Sequence, residues 1–485
     1  MEQNKTAFKK QLSPTHVWAI AFGCIIGWGA FINPGKKFLP NSGVEGTAIA
    51  MVLGALVMII IAFAYAYMVP KYPKAGGEFN YTKSCFGKVP AFICGWFLLA
   101  AYLTNVPMNS TAIGLIVDGL DGSANILQWG FHYSIAGFKV WLGEIILAMS
   151  ILILFGILNI LGVKKASFVQ TVLASMLASC VFILTITAIF SCKTSFANME
   201  PIWGFDRFAA TAAGATTETI NSFAHVGSQG ILSAILATFA IAPWAFVGFE
   251  TIPQAAEEFK FSYKKVMGIM TVAIAFGCFV YVANNTVAAA ALTNWPDRVI
   301  AGEWVLLIAA EEMLGLLGKI LLGLAVSSAV LSGIMGFYLA SSRLMYSMSR
   351  DGYLPKMFCK IDKRYGTPRN AILFCILISL SGPILGREAL GWFVDMSAIG
   401  ASIGFFFTCT STLVVMKRDK DGTTLLKFMA VLGAILSTLF VILQLIPIPG
   451  LNGVHFGYES YLMLLVWILI GIIFFSKQRK FIIEN

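Results

Sequence analysis

Charge is scarce in this 485-residue chain: Asp, Glu, Lys and Arg supply 12% of it, where soluble domains carry about a quarter. Half that complement cannot clothe a soluble surface, which excludes an ordinary soluble enzyme, a disordered chain and a nucleic-acid binder. Histidine is scarcer still. His16, His132, His225 and His455 all fall outside the middle of any apolar run, so a histidine relay inside the protein is not supported. The nine cysteines are scattered with no CxxC pair, as expected of small buried side chains rather than a disulfide or metal framework. No long hydrophilic stretch offers a separate soluble domain, and the polar start with Lys5, Lys9 and Lys10 does not read as a removable signal peptide. What is abundant is apolar: 58% hydrophobic residues and a mean hydropathy of +0.81. The composition is that of a multi-spanning membrane protein.

A bilayer core of about 30 Å takes roughly 20 apolar residues per helix. Twelve runs meet that need, at about 15–38, 45–69, 90–117, 140–161, 168–190, 233–256, 266–292, 315–345, 371–386, 389–416, 425–446 and 458–476. Placing both termini inside puts all but eight of the 34 Lys and Arg on the cytoplasmic side, as the positive-inside bias requires. The eight outer ones are Lys36, Lys37, Lys139, Lys193, Arg207, Arg298, Lys319 and Arg387. The net charge of +10 is thereby read as topology and implies no nucleic-acid partner. Residues 1–14 and 477–485 become cytoplasmic tails, and 191–232 an extracellular loop with a short surface helix.

Two spans are poor helices. The first reads Gly23-Cys-Ile-Ile-Gly27-Trp28-Gly29, and the sixth holds Pro243, Gly248, Glu250 and Pro253 within twelve residues. Breaking a helix in lipid is costly unless the freed backbone lines a protein cavity. Interrupted spans at matching places in two inverted halves point to a transporter's binding site. Half-helix N-termini offer N–H donors to an anion, and freed carbonyls suit an ammonium group or a metal cation. A zwitterionic amino acid meets both needs. Close packing of small residues is the rival reading of the glycines. Glu250 is the most deeply placed carboxylate, either a coupling group or a tie for broken backbone.

At these residues the chain resembles the amino acid, polyamine and organocation superfamily of permeases, on four motifs in order. They are Gly23 to Phe31, Pro73-Lys-Ala-Gly-Gly-Glu-Phe-Asn-Tyr81, Gly248 to Glu258, and Ser342 to Pro355. The resemblance implies an all-α membrane fold of 12 helices. Its inverted repeats are 15–190 and 233–416, its helices 1 and 6 are discontinuous, and two further helices lie in 425–476. It also implies alternating access around a central site. There Ile26, Gly27, Trp28 and Gly29 would receive the substrate carboxylate, and carbonyls of Trp244, Ala245, Phe246 and Val247 its amine. Trp244 would cover the substrate with Phe246 beside it, and Ala101, Asn105, Met108 and Phe337 would line the side-chain pocket. Ordinary helix packing is the rival reading of Trp244, Met108 and Phe337.

Two departures from the family pattern bear on the substrate. Trp28 stands where a small residue is usual, which favours a small substrate or one held mainly through its amine. Between Val169 and Leu184 there is no lysine of the kind that fills a cation site in some proton-coupled relatives. Ser327, Ser328 and Ser332 are candidate coupling residues, with Na+ at Ser328 and Ser332 because hard cations take oxygen ligands. No cofactor is expected, and the coupling ion stays between H+ and Na+. The expected function is secondary active transport of amino acids or small amines, by symport or exchange, with the substrate and the lipid bilayer as partners and the oligomeric state left open. A sensor or uncoupled channel on the same fold, or a membrane-embedded enzyme, are the alternatives.

Overall fold

A computed structural model describes residues 8–122, 124–224, 230–447 and 455–484; His225 lies outside them. The chain opens with α1 (Pro14–Ile25), started by Pro14 at its first turn and by Ser13, whose hydroxyl accepts from the His16 N–H at 3.3 Å. Residues 26–28 are not helical, and α2 (Gly29–Asn33) follows. The sequence places a boundary between 38 and 45, and the chain breaks within it, by a kink rather than a loop. A π-helical turn, Pro34–Phe38, feeds directly into α3 (Leu39–Lys71). The break is at Gly43, with φ 64° and ψ −160°. A Cβ on Gly43 would meet the Ile202 carbonyl oxygen at 1.9 Å, so glycine serves both the left-handed backbone and the close approach.

Next come α4 (Gly77–Phe86), α5 (Lys88–Asp121), a small hairpin of β1 (His132–Ile135) and β2 (Phe138–Trp141), α6 (Leu142–Ile160) and α7 (Val163–Phe190). The hairpin is the one departure from an all-α chain among the described residues. Residues 191–224 hold α8 (Arg207–Ala212), α9 (Thr217–Ile220) and two 3-10 turns, more helix than the single surface helix expected. The sixth apolar run is α10 (Gly230–Phe239), α11 (Ala242–Ala245) and α12 (Thr251–Gln254), with turns over 246–250.

After α13 (Val266–Ala290), two helices stand where no span was expected, α14 (Trp295–Ile300) and α15 (Val305–Leu314). The chain ends with α16 (Leu316–Arg350), α17 (Arg369–Ser379), α18 (Gly382–Leu385), α19 (Ala389–Asp419), α20 (Thr424–Leu445) and α21 (Tyr458–Glu484).

Nine helices among the described residues are long and apolar enough to cross a membrane. The runs at 15–38, 233–256 and 371–386 appear instead as shorter helices, because Gly27, Gly248 and Pro383 interrupt them. The core is built where α5 meets α16 and α19. The most apolar window of α5 is 78% buried, that of α21 only 17%, so the last helix lies at the periphery. Cys192 alone of the nine cysteines is exposed; five are buried, as their apolar surroundings suggest.

Candidate functional site

The two interrupted regions touch. Gly248, at φ 145°, lies so close to α1 that a Cβ there would stand 2.5 Å from the Ile25 nitrogen. Tyr281 on α13 donates to the Ile25 carbonyl at 3.4 Å and Asn284 to Ala30 at 2.9 Å, so both sides of the first gap are held by one neighbour. Within the gaps, the N–H groups of Gly27, Trp28 and Gly29 have no acceptor among the described residues. The carbonyls of Ala245, Phe246 and Val247 have no donor. Donors for an anion and acceptors for an ammonium group thus stand on adjoining backbone.

The indole of Trp28 lies 6.0 Å from that of Trp244, ring centre to ring centre. Both close the floor of a vestibule of about 430 Å³. Gly29 is small for a reason: a Cβ there would meet the Trp244 ring at 2.2 Å. Phe246 goes elsewhere, packing against Tyr281 at 6.0 Å and beside Gly54 of α3. Ala101 packs against Gly400 of α19, and Asn105 donates to Ala101 O at 2.7 Å and to Ser397 Oγ at 2.6 Å. Met108 is buried. Phe337 packs tilted against Tyr102, 6.2 Å between ring centres.

Glu250 is fully buried and its Oε2 accepts from the Gly248 N–H at 2.8 Å, while Oε1 has no partner. It therefore ties the broken backbone and keeps a free acceptor. Ser327 is half-buried, and Ser328 donates within its own helix to Leu324 O at 2.6 Å. Ser332 reaches the Gly23 carbonyl at 3.2 Å. Beside it, Gln170 of α7 donates to Ala19 O at 3.1 Å, with its amide 2.4 Å from where a Gly23 Cβ would lie.

Several of these partners escape a reading for glycine and charge. Asn109 stands one turn beyond Asn105, on the same helix face. Its unpartnered Oδ1 lies 3.1 Å from where a Gly27 Cβ would be. Its i, i+4 spacing in an apolar run is the signal that marks it, and Gln170 is marked by polarity alone. A second buried set adjoins Glu250. Tyr65 donates to Glu78 Oε1 at 2.7 Å, Gln254 to Glu78 Oε2 at 2.6 Å, and Tyr102 to the Glu250 carbonyl at 3.3 Å.

Glu78 sits on α4, outside the spans, and burial pushes its carboxyl up to about 8 from 4.5. A carboxyl raised on folding contributes stability that is full below about pH 4.5 and is lost as pH rises through about 8. Glu78→Gln removes that dependence. Between about pH 5 and about pH 8.5 the wild-type apparent melting temperature should fall relative to the variant's, and parallel pH profiles would contradict the assignment.

The two mouths differ. At one end of α5, Arg387 pairs with Asp118 and, at 2.6 Å, with Glu144; the vestibule opens there. At the other end Arg343 and Glu258, both essentially without solvent exposure, pair at 2.9 Å. Gln11 and Leu12 donate to the Glu258 carbonyl at 2.8 and 2.9 Å, and Phe8 lies over Arg343 at 5.5 Å. Arg350 holds Glu257 at 2.8 Å, and that carboxylate also accepts from Ala75 N. These contacts tie the N-terminal segment, Glu257 and Glu258 to the end of α16.

The family model described as "Amino acid permease" matches residues 12–476, the two gaps and both mouths included. The chain belongs to the amino acid permease family. That family lies within the superfamily its motifs resemble. Relatives of the permease include the large neutral amino acids transporter small subunit 2 of Homo sapiens, 28% identical over 77% of this chain and 64% of that one. They also include the vacuolar cationic amino acid transporter 2 of Arabidopsis thaliana, 24% identical over 85% and 60%. The Asc-type amino acid transporter 1 of Mus musculus is 26% identical over 76% and 64%. The permease thus spans somewhat under two thirds of the length of these relatives.

Proposed function

We propose that the permease is a secondary active transporter, a symporter or exchanger, of amino acids or related small amines in the cell membrane. Twelve spans, with helices 1 and 6 discontinuous, form a five-plus-five inverted repeat with α20 and α21 added, and both termini are cytoplasmic. The observation that carries the reading is the adjoining pair of gaps. Free N–H groups at Gly27 to Gly29 receive the carboxylate, and free carbonyls at Ala245 to Val247 receive the amine. The relatives' names, neutral, cationic and Asc-type, support amino acids as the substrate class. The conformation fits alternating access, with an outer vestibule reaching down to Trp28 and Trp244 and an inner mouth locked by Arg343 and Glu258.

Trp28 narrows the site and favours a small substrate. Na+ coupling has the Ser332–Gly23 contact in its favour, and the Gln170 amide beside it against; uptake with and without Na+ at fixed pH separates it from H+ coupling. Counterflow in liposomes tests the function itself. Loading the lumen with unlabelled amino acids should accelerate entry of labelled ones. Uptake without that acceleration would mean a channel, and no uptake across a broad panel of amino acids and amines by folded protein would overturn the substrate class.

A further inference from the structure

Half of the eight basic residues assigned to the outer face, where the positive-inside bias disfavours them, line one cavity: Lys36, Lys37, Arg207 and Arg387 border the vestibule. Two carboxylates, Glu303 and Glu388, border it as well. Arg387 is already engaged by Asp118 and Glu144, and Glu303 by Arg298 at 3.0 Å. That leaves Lys36, Lys37 and Arg207, none of them in an ion pair among the described residues, with Glu388 as the one unengaged carboxylate of the lining and Asp395, outside the lining, within the field of Lys37.

The floor adds a donor. Trp28 is 6% exposed, and its indole N–H has no acceptor. Leu115, Leu390 and Val394 supply apolar wall, which concentrates the field of the free cations within the cleft. The space, about 430 Å³, holds roughly a dozen waters, enough for a small anion with part of its hydration.

We propose that this vestibule is a binding site for a small carboxylate, distinct from the backbone site below Trp28 and Trp244 and resting on the outward orientation given above. Lys36 and Arg207 hold the carboxylate, with Lys37 adding to the field. It would concentrate anions at the outer mouth before the floor opens. The carboxylate is either that of the arriving amino acid or that of a free acid.

Binding of radiolabelled succinate to the purified permease in lipid nanodiscs tests the site, because succinate has no amine for the carbonyls beneath. Saturable binding is expected, weakening as salt is added, and at least tenfold weaker in the Lys36→Gln/Arg207→Gln double variant. Should that variant not elute as a monodisperse species, Lys37→Gln, with a smaller loss, takes its place. No saturable binding by the folded wild type, or undiminished binding in the folded charge variant, would overturn the proposal. Displacement of succinate by glycine but not by glycinamide upholds the site with the substrate as its source of carboxylate; displacement by neither upholds it with a free acid. Counterflow in parallel liposomes reads the transport function separately, so a failed vestibule and a failed transporter give different results.

Discussion

Gly29→Leu is expected to reduce substrate uptake at least tenfold, a loss of at least about 1.4 kcal/mol in binding if affinity alone changes. Adding even a Cβ at this position places it 2.2 Å from Cη2 of Trp244 and 3.0 Å from Nδ2 of Asn33. The branched side chain must therefore displace the indole or tilt α2, and either movement disturbs the N–H groups of residues 27–29. Leucine is a good helix former, and the rest of the fold does not depend on this contact, so expression and the gel-filtration profile should be retained. The measurement is ligand-induced stabilisation together with uptake. Unchanged affinity in the folded variant would contradict the placing of the site at the first gap. Trp244→Ala in the same background should relieve the collision and recover part of the binding.

Arg343→Ala should be the more damaging change to stability. The guanidinium is buried against Glu258 at 2.9 Å, bonded to Ser342 Oγ at 3.1 Å and covered by Phe8. Removing one partner of a buried pair strands the other charge, at a cost of about 3–5 kcal/mol. For a chain of this length that corresponds to a fall in apparent melting temperature of roughly 3–5 °C. Replacing both partners together, Arg343→Met with Glu258→Leu, should restore much of the loss, because no lone charge is then buried. A double variant as unstable as Arg343→Ala would show that the loss comes from packing around Phe8 rather than from the stranded carboxylate. Arg343→Lys should fall between, since an ammonium cannot reproduce the forked contact to Glu258 and Ser342.

The helix gaps were legible because their cause is local. Gly27, Gly29, Gly248 and Pro243 lower helix propensity wherever they stand, and their spacing is visible in the linear chain. So was the burial of Glu250. The Arg343–Glu258 lock was not legible, because the partners lie 85 residues apart and each alone resembles a basic or acidic residue at a helix end. Asn109 under Gly27 and Gln170 beside Gly23 carry a sequence signal in spacing and polarity, but their partners are set by the helix facing them. The helix α15 was missed for a different reason. It is ten residues long and carries Glu311 and Glu312, so it fails any test built on the thickness of a membrane. The boundary placed between 38 and 45 has its break at Gly43, although the π-helical segment before it keeps α2 continuous with the start of α3.

That join has a mechanical consequence. With no loop between them, α2, the π-helical turn and the first residues of α3 run continuously from Gly29 to the break at Gly43, whereas α1 is attached to α2 only through the three non-helical residues 26–28. The short half-helix bearing Gly29 therefore moves with the segment that ends at Gly43, set off from α1 by one gap and from the rest of α3 by the other. A small tilt of that segment is delivered to the Trp28 side of the floor as a displacement, while Trp244 sits on α11, outside the segment. The two indoles are thus carried by different bodies, and the gap between them registers the angle between those bodies.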